Sequence, residues 1–186
     1  LGLENKFVVG HVGRLHPQKN HDFLIDVFAE IKKKQPDAEL ILVGTGPLEE
    51  KVRSKVADKG LTESVQFLGN RKDMNRIYQA MDIFVFPSLF EGLGIVAIEA
   101  QAAGVPIVCS EGLPPETDIT PIYRKLMLSD GAEKWAEAAI EMAQSSKAHT
   151  NMQKYIIDAG FDMNATAKNM EEYYLEKEAQ IREKNK

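Results

Sequence analysis

The 186 residues carry 44% hydrophobic and 27% charged side chains, a balance that excludes a disordered or fibrous chain and supplies a sizeable core. A formal net charge of -5 excludes a general nucleic-acid binder, which needs a basic field over a whole face. No apolar run approaches the ~18 residues of a membrane helix, and the N-terminal LGLENKFVVGH lacks a signal-peptide pattern, so the expected setting is cytoplasmic, with peripheral membrane association left to parts outside this sequence. The single cysteine, Cys109, lies in the apolar run PIVC and reads as a buried, inert thiol.

In chain order, FVVGHV predicts a first strand and residues 20–34 a helix; ELILVG predicts a second strand and residues 47–59 a second helix. VQFLG precedes a short helix over 73–81, IFVFPS precedes a fourth helix within SLFEGLGIVAIEAQAAGVP, and PIVC and YRKLML complete six strands. Alternating strands and helices, with strands rich in β-branched residues, read as an α/β fold: a doubly wound parallel sheet of the Rossmann-like class, covered on both faces. Asn20 and Asp73 are expected helix caps, Pro47 a first-turn residue, and Gly60, Gly104 and Gly160 helix stops.

After Asp130 the pattern turns helical, with GAEKWAEAAIEMAQ, KYIIDAG and TAKNMEEYYLEKEAQIREK following one another without a strand. Trp135, Ile140, Ala143, Tyr155, Met170 and Tyr174 are expected to pack there, and the last dozen residues to form a solvated helix end. No repeat or linker interrupts the chain, so residues 1–186 are expected to form one domain with a helical C-terminal third.

Ligands of doubly wound sheets bind outside the carboxyl ends of the strands where the strand order reverses, in the common order between the first and fourth strands. There the first strand runs into GHVGRLHPQKN and the fourth into FPSLFEGLG. The first loop offers Arg14 and Lys19 on a turn shaped by Gly13 and Pro17; the second offers Gly92, Leu93 and Gly94 before a helix. Two cations and helix N-terminal amides suit an anion, diphosphate better than carboxylate. Glu91 could be a helix-start carboxylate favoured by the dipole, but Glu99 lies about two turns deeper, beyond its reach. A hydroxyl-rich ligand would satisfy Glu99. His11, His16 and His21 recur every five residues across strand, loop and helix, a spacing not expected to converge on a metal ion.

The segments VGRLHPQKN, GTGP, VQFLGN and FPSLFEGLGIVAIEAQAAGVPIV, in this order and spacing, resemble the C-terminal, donor-binding half of retaining glycosyltransferases of the GT-B fold, family 4, and particularly bacterial exopolysaccharide and capsule enzymes. The similarity runs from about Phe7 to Glu116 and, less specifically, through the terminal helices. It implies that Arg14 and Lys19 clamp a donor diphosphate, that Glu91 lies against the donor sugar, and that these three form the catalytic set. It further implies that Glu99 binds ribose hydroxyls, that the amides of Gly92, Leu93 and Gly94 meet the phosphates beside Gly13, and that the base lies near Asn70 and Arg71. Leu93 stands where the motif commonly has an aromatic.

The same resemblance implies retaining transfer from a nucleoside diphosphate sugar, UDP favoured over GDP, to a hydroxyl of a glycan or lipid-linked acceptor in polysaccharide synthesis. No cofactor or metal is implied. The family is built from two Rossmann-like domains, so this chain is expected to be the donor half, inactive without an N-terminal acceptor domain, in an enzyme working in the cytoplasm or at the inner membrane face. A dehydrogenase would need G-x-G-x-x-G after the first strand, which is not there. A nucleotide-sugar epimerase half and a non-catalytic nucleotide-sugar-binding module are the other readings.

Overall fold

A computed structural model of the protein describes residues 1–146 and 149–184. Six parallel strands, β1 (Phe7–Val12), β2 (Ala38–Val43), β3 (Val65–Gly69), β4 (Ile83–Phe86), β5 (Ile107–Ser110) and β6 (Tyr123–Leu126), form one sheet in the order β3-β2-β1-β4-β5-β6. All residues of β2, β4 and β5 are buried, whereas the edge strands β3 and β6 are mostly half-buried, as expected of a sheet covered on both faces.

Strand residues alternate between two cores. Val9, Leu40, Leu42, Ile83, Val85 and Val108 face α1 (His21–Lys34), α2 (Glu49–Asp58) and α5 (Gly131–Ser145). Val8, Ile41, Val43, Phe84, Phe86 and Ile107 face α3 (Met74–Tyr78) and α4 (Ile95–Ala102). Trp135 of α5 is fully buried, meets Phe23 of α1 edge-on with centroids 5.3 Å apart, and donates its indole N–H to the Met127 carbonyl at 2.9 Å. Cys109 is buried as expected, its thiol pushed up to about 12 by burial.

Gly60 and Gly104 end α2 and α4 with positive φ, and the next N–H reaches back into the helix, Leu61 to the Val56 carbonyl and Val105 to that of Ala100, both at 2.9 Å. The starts differ from expectation. Asn20 is left-handed at φ 52° and makes no side-chain cap, Asp73 gives its carboxylate to Arg71, and α2 begins two residues after Pro47, with Leu48 as its cap residue. Side-chain type nominates a cap, but the competing local bond decides.

The chain divides into two compact units, Leu1–Met152 and Gln153–Lys186. The second holds α6 (Gln153–Asp158) and α7 (Met163–Lys184), with Gly160 between them at φ 83°. Tyr155, Met170 and Tyr174, expected to pack, are 46%, 54% and 63% exposed. Helical spacing identifies a face; it does not supply the surface that buries it. Asn185 and Lys186 of the charged tail lie outside the described residues. Among the described residues no helix is long and apolar enough to cross a membrane.

Candidate functional site

The strand order places the carboxyl ends of β1 and β4 side by side, with the order reversing between them. The β1–α1 loop is tied to the turn after β2: Gly13 N–H donates to Val43 O at 2.9 Å, Leu15 N–H to Thr45 O at 3.1 Å, and Leu48 N–H to Leu15 O at 3.1 Å. The chain then makes a 3-10 turn over Pro17–Lys19 and reverses at Asn20, whose N–H returns to Pro17 O at 3.0 Å.

This reversal carries Lys19 to the β4–α4 loop. Leu89 N–H donates to Gln18 O at 2.8 Å and Gln18 Nε2 to Phe90 O at 2.9 Å. From the other side, Glu91 N–H donates to Gly112 O at 3.0 Å, and the Ser110 hydroxyl donates to the Ser88 carbonyl. The loop bearing Glu91 is therefore held between the loops that follow β1 and β5.

Across that frame Lys19 Nζ meets Glu91 Oε1 at 2.7 Å, with the two side chains only 14% and 7% exposed. The lysine stem passes over Gly13, where any Cβ would lie 3.0 Å from Lys19 Cε, and Nζ sits 4.6 Å from the centroid of the Phe86 ring. Gly94 caps α4 in the left-handed region at φ 71°, which glycine adopts without strain. A Cβ there would lie 3.6 Å from Glu91 Cβ and Cγ, so Lys19, Glu91 and the start of α4 form one cluster. Glu91 precedes the helix, and no acidic residue occupies its first turn; the carboxylate is held by the lysine rather than by the dipole. The N–H groups of Gly92, Leu93 and Gly94 make no hydrogen bond among the described residues, and Gly92 borders open space.

The other expected residues sit on neighbouring loops. Arg14 is exposed, and no ion pair engages it among the described residues. Leu93 is 40% exposed beside Leu89 and Phe90, at 49% and 63%. Asn70 is exposed, and Arg71 is engaged by Asp73 through Nε at 2.8 Å and Nη2 at 2.7 Å, a bidentate pair that holds the Asp73 carboxyl below its usual range. No hydrogen bond or ion pair joins Arg14, Asn70 or Arg71 to the Lys19–Glu91 pair among the described residues. Glu99 does not lie buried within α4: it is exposed, and its Oε2 accepts a hydrogen bond from the Tyr78 hydroxyl at 2.8 Å. The buried polar side chain of α4 is Gln101, whose amide donates to Ala97 O and Thr117 O and accepts from Thr120 N–H and Oγ1.

His11 and His21 do converge, while His16 is exposed: α1 returns the chain over β1, and the two buried rings meet edge-on with centroids 4.7 Å apart. His11 uses Nδ1 against Val85 O at 2.9 Å; His11 Nε2 and both nitrogens of His21 have no partner among the described residues. Burial first, then neighbouring charge, holds both rings neutral: His21 is pushed down to about 4, with Lys19 contributing, and His11 well below its ordinary range, with His21 and Lys19 contributing. Among the described residues no group of three or more His, Cys, Asp or Glu is placed to hold a metal ion.

The family model described as glycosyl transferases group 1 matches residues 1–159. A GDP-mannose-dependent monoacylated alpha-(1-6)-phosphatidylinositol monomannoside mannosyltransferase of Corynebacterium glutamicum is 36% identical over 145 residues, 73% of this chain and 37% of that protein. A UDP-Gal:alpha-D-GlcNAc-diphosphoundecaprenol alpha-1,3-galactosyltransferase of Escherichia coli is 38% identical over 114 residues, 59% of this chain and 30% of that protein. The chain thus spans about a third of the length of these relatives. Anabaena Alr3699/HepE, solved in complex with UDP and glucose, superposes on 94% of this chain and 49% of its own with a TM-score of 0.76 at 23% identity, a likeness of fold. A doubly wound sheet with its loops meeting between β1 and β4, matched along most of its length by the family model, makes this chain a member of the glycosyl transferases group 1 family, carrying a Rossmann-like half of the GT-B fold.

Proposed function

We propose that this chain is the donor-binding part of a glycosyltransferase, taking a nucleoside diphosphate sugar between the β1–α1 and β4–α4 loops. The observation that carries the reading is the Lys19–Glu91 pair beside three unbonded amides at the head of α4. An ammonium has three donors, of which Glu91 uses one. The rest, with Arg14 and the amides of Gly92, Leu93 and Gly94, supply positive charge where a diphosphate leaves. UDP is the favoured base carrier, although the relatives' names include both UDP- and GDP-sugars.

In the transfer, the bond from the anomeric carbon to the leaving diphosphate breaks, and an acceptor hydroxyl bonds to the same face, its proton passing to an oxygen of the departing diphosphate; the sugar passes through an oxocarbenium-like state. Negative charge builds on the diphosphate, and Lys19, held by Glu91, stabilises it together with Arg14. Glu91, fixed by Lys19, lies against the sugar, Glu99 meets the ribose hydroxyls, and Asn70 and Arg71 border the base, which requires Arg71 to act while paired with Asp73 or to leave it. The acceptor, a glycan or lipid-linked sugar in polysaccharide synthesis, is assigned to the two thirds of the relatives' length outside the match. No metal or cofactor enters this scheme, and the 186-residue chain alone binds donor without transferring it.

The test is a thermal-shift and calorimetric panel of UDP, GDP, ADP and their sugars, followed by Arg14→Ala and Lys19→Ala. One nucleoside diphosphate should stabilise the protein, and each substitution should weaken its binding by about tenfold or more, the scale of a lost charge-assisted contact. Binding unaffected by both substitutions, or no binding by any member of the panel, would overturn the reading.

A further inference from the structure

Glu99 has a partner from a different element. Tyr78 closes α3, is 3% exposed, and packs edge-on against Phe84 with centroids 6.2 Å apart. Its hydroxyl lies 2.8 Å from Glu99 Oε2 and 3.4 Å from the Val96 carbonyl. Burial, with the charge and hydrogen bond of Glu99, pushes the phenol far above its ordinary range, so it stays protonated and donates. Glu99 itself is exposed, and Oε1 has no partner among the described residues.

We propose that Tyr78 is a positioning residue for ribose recognition: its buried hydroxyl occupies one lone pair of Glu99 Oε2 and fixes the carboxylate with Oε1 turned outward to accept from the vicinal hydroxyls of a nucleotide ribose. The proposal rests on the reading of Glu99 as the ribose carboxylate. A glutamate on a helix surface samples many rotamers, and ordering them on binding lowers affinity. A rigid donor anchored in the core meets that cost before the ligand arrives. An ionised carboxylate has about four acceptor positions, so one bond to tyrosine leaves enough for two adjacent hydroxyls.

The experiment is titration of the 186-residue chain, by ligand-observed NMR to reach weak affinities, with UDP and 2′,3′-dideoxy-UDP, and with the corresponding GDP and ADP pairs. Tyr78→Phe deletes the hydroxyl while keeping the ring against Phe84, and melting followed by Trp135 fluorescence checks the fold. The wild type should prefer the ribose form. Tyr78→Phe should lower affinity for that form by about tenfold and leave the dideoxy form unchanged; a purely structural loss would weaken both alike. Glu99→Gln should collapse the same preference, and the double variant should lose no more than Glu99→Gln alone. A preference intact in Tyr78→Phe but lost in Glu99→Gln overturns the role of Tyr78 alone. A preference intact in Glu99→Gln, or no binding of any pair, overturns the ribose reading and the proposal with it.

Discussion

Glu91→Gln separates the structural and ligand-binding roles of the Lys19–Glu91 pair. Exposed ion pairs contribute about 0–1 kcal/mol, whereas stripping one partner from a buried pair costs about 3–5 kcal/mol. With side chains 14% and 7% exposed, this pair lies toward the buried end. Gln keeps one oxygen to accept from the ammonium, so the cost should fall to about 2–3 kcal/mol. At about 2–4 °C per kcal/mol for a chain of this size, the melting temperature should drop by roughly 4–12 °C. Added nucleoside diphosphate brings oxygens that replace the missing counter-charge, so its stabilising shift should be larger in Glu91→Gln than in the wild type. Lys19→Met should destabilise comparably and shrink that shift, and the double variant should recover part of the stability but not the binding. The only tryptophan, Trp135, is fully buried in the first unit, so its fluorescence follows unfolding of that unit with and without ligand. A drop below about 1 °C in Glu91→Gln, or ligand shifts that move in the same direction in both single variants, would refute the reasoning.

The neutral histidine pair makes stability depend on pH. His21 titrates near 6.5 when unfolded and about 4 when folded, so between those values the unfolded chain binds more protons; stability should rise with pH across that window and lose roughly 3 kcal/mol on descending it. Melting temperatures measured from pH 4 to 7 should show this slope flattened in His21→Asn, and an unchanged slope would count against the pair. Gly112→Ala should loosen the loop bearing Glu91, since its Cβ would lie 2.3 Å from the Leu89 carbonyl oxygen; hydrogen exchange at Glu91 N–H should quicken, and unchanged protection would show that the loop holds without this approach.

All six strands, the doubly wound class and the meeting of the first and fourth loops were legible in the sequence, because near-continuous apolar runs between amphipathic helices leave a buried parallel sheet as their main solution. What stayed hidden depends on the third dimension. Lys19 and Glu91 could be named as separate ligand residues, but their direct bond spans 72 positions and exists only once β1 and β4 are neighbours. His11 and His21 fall in a strand and a helix, where linear spacing suggests separation; the return of α1 over β1 makes them touch. Glu99 has apolar neighbours along the chain, yet on α4 it faces outward and Gln101 takes the buried position. Nothing in the motif around Glu99 points to Tyr78, which arrives from a helix 21 residues earlier.

The two acidic residues therefore differ in what a ligand must do to reach them. Glu91 is nearly buried and already neutralised by Lys19, so a diphosphate approaching the lysine meets a competitor of its own sign, and affinity there depends on how readily the ammonium serves both. Glu99 is exposed, with one oxygen held by a neutral tyrosine and the other open to hydroxyl donors. Raising ionic strength should accordingly weaken the phosphate recognition proposed for Lys19 and Arg14 more than the ribose discrimination proposed for Glu99, since screening acts on charge–charge attraction more than on a hydrogen bond to a neutral hydroxyl. Comparing UDP with 2′,3′-dideoxy-UDP across a salt series separates the two: overall affinity should fall with salt while the ratio between the ligands stays level, and a ratio that falls in step with affinity would mean that a single electrostatic contact governs both ends of the site.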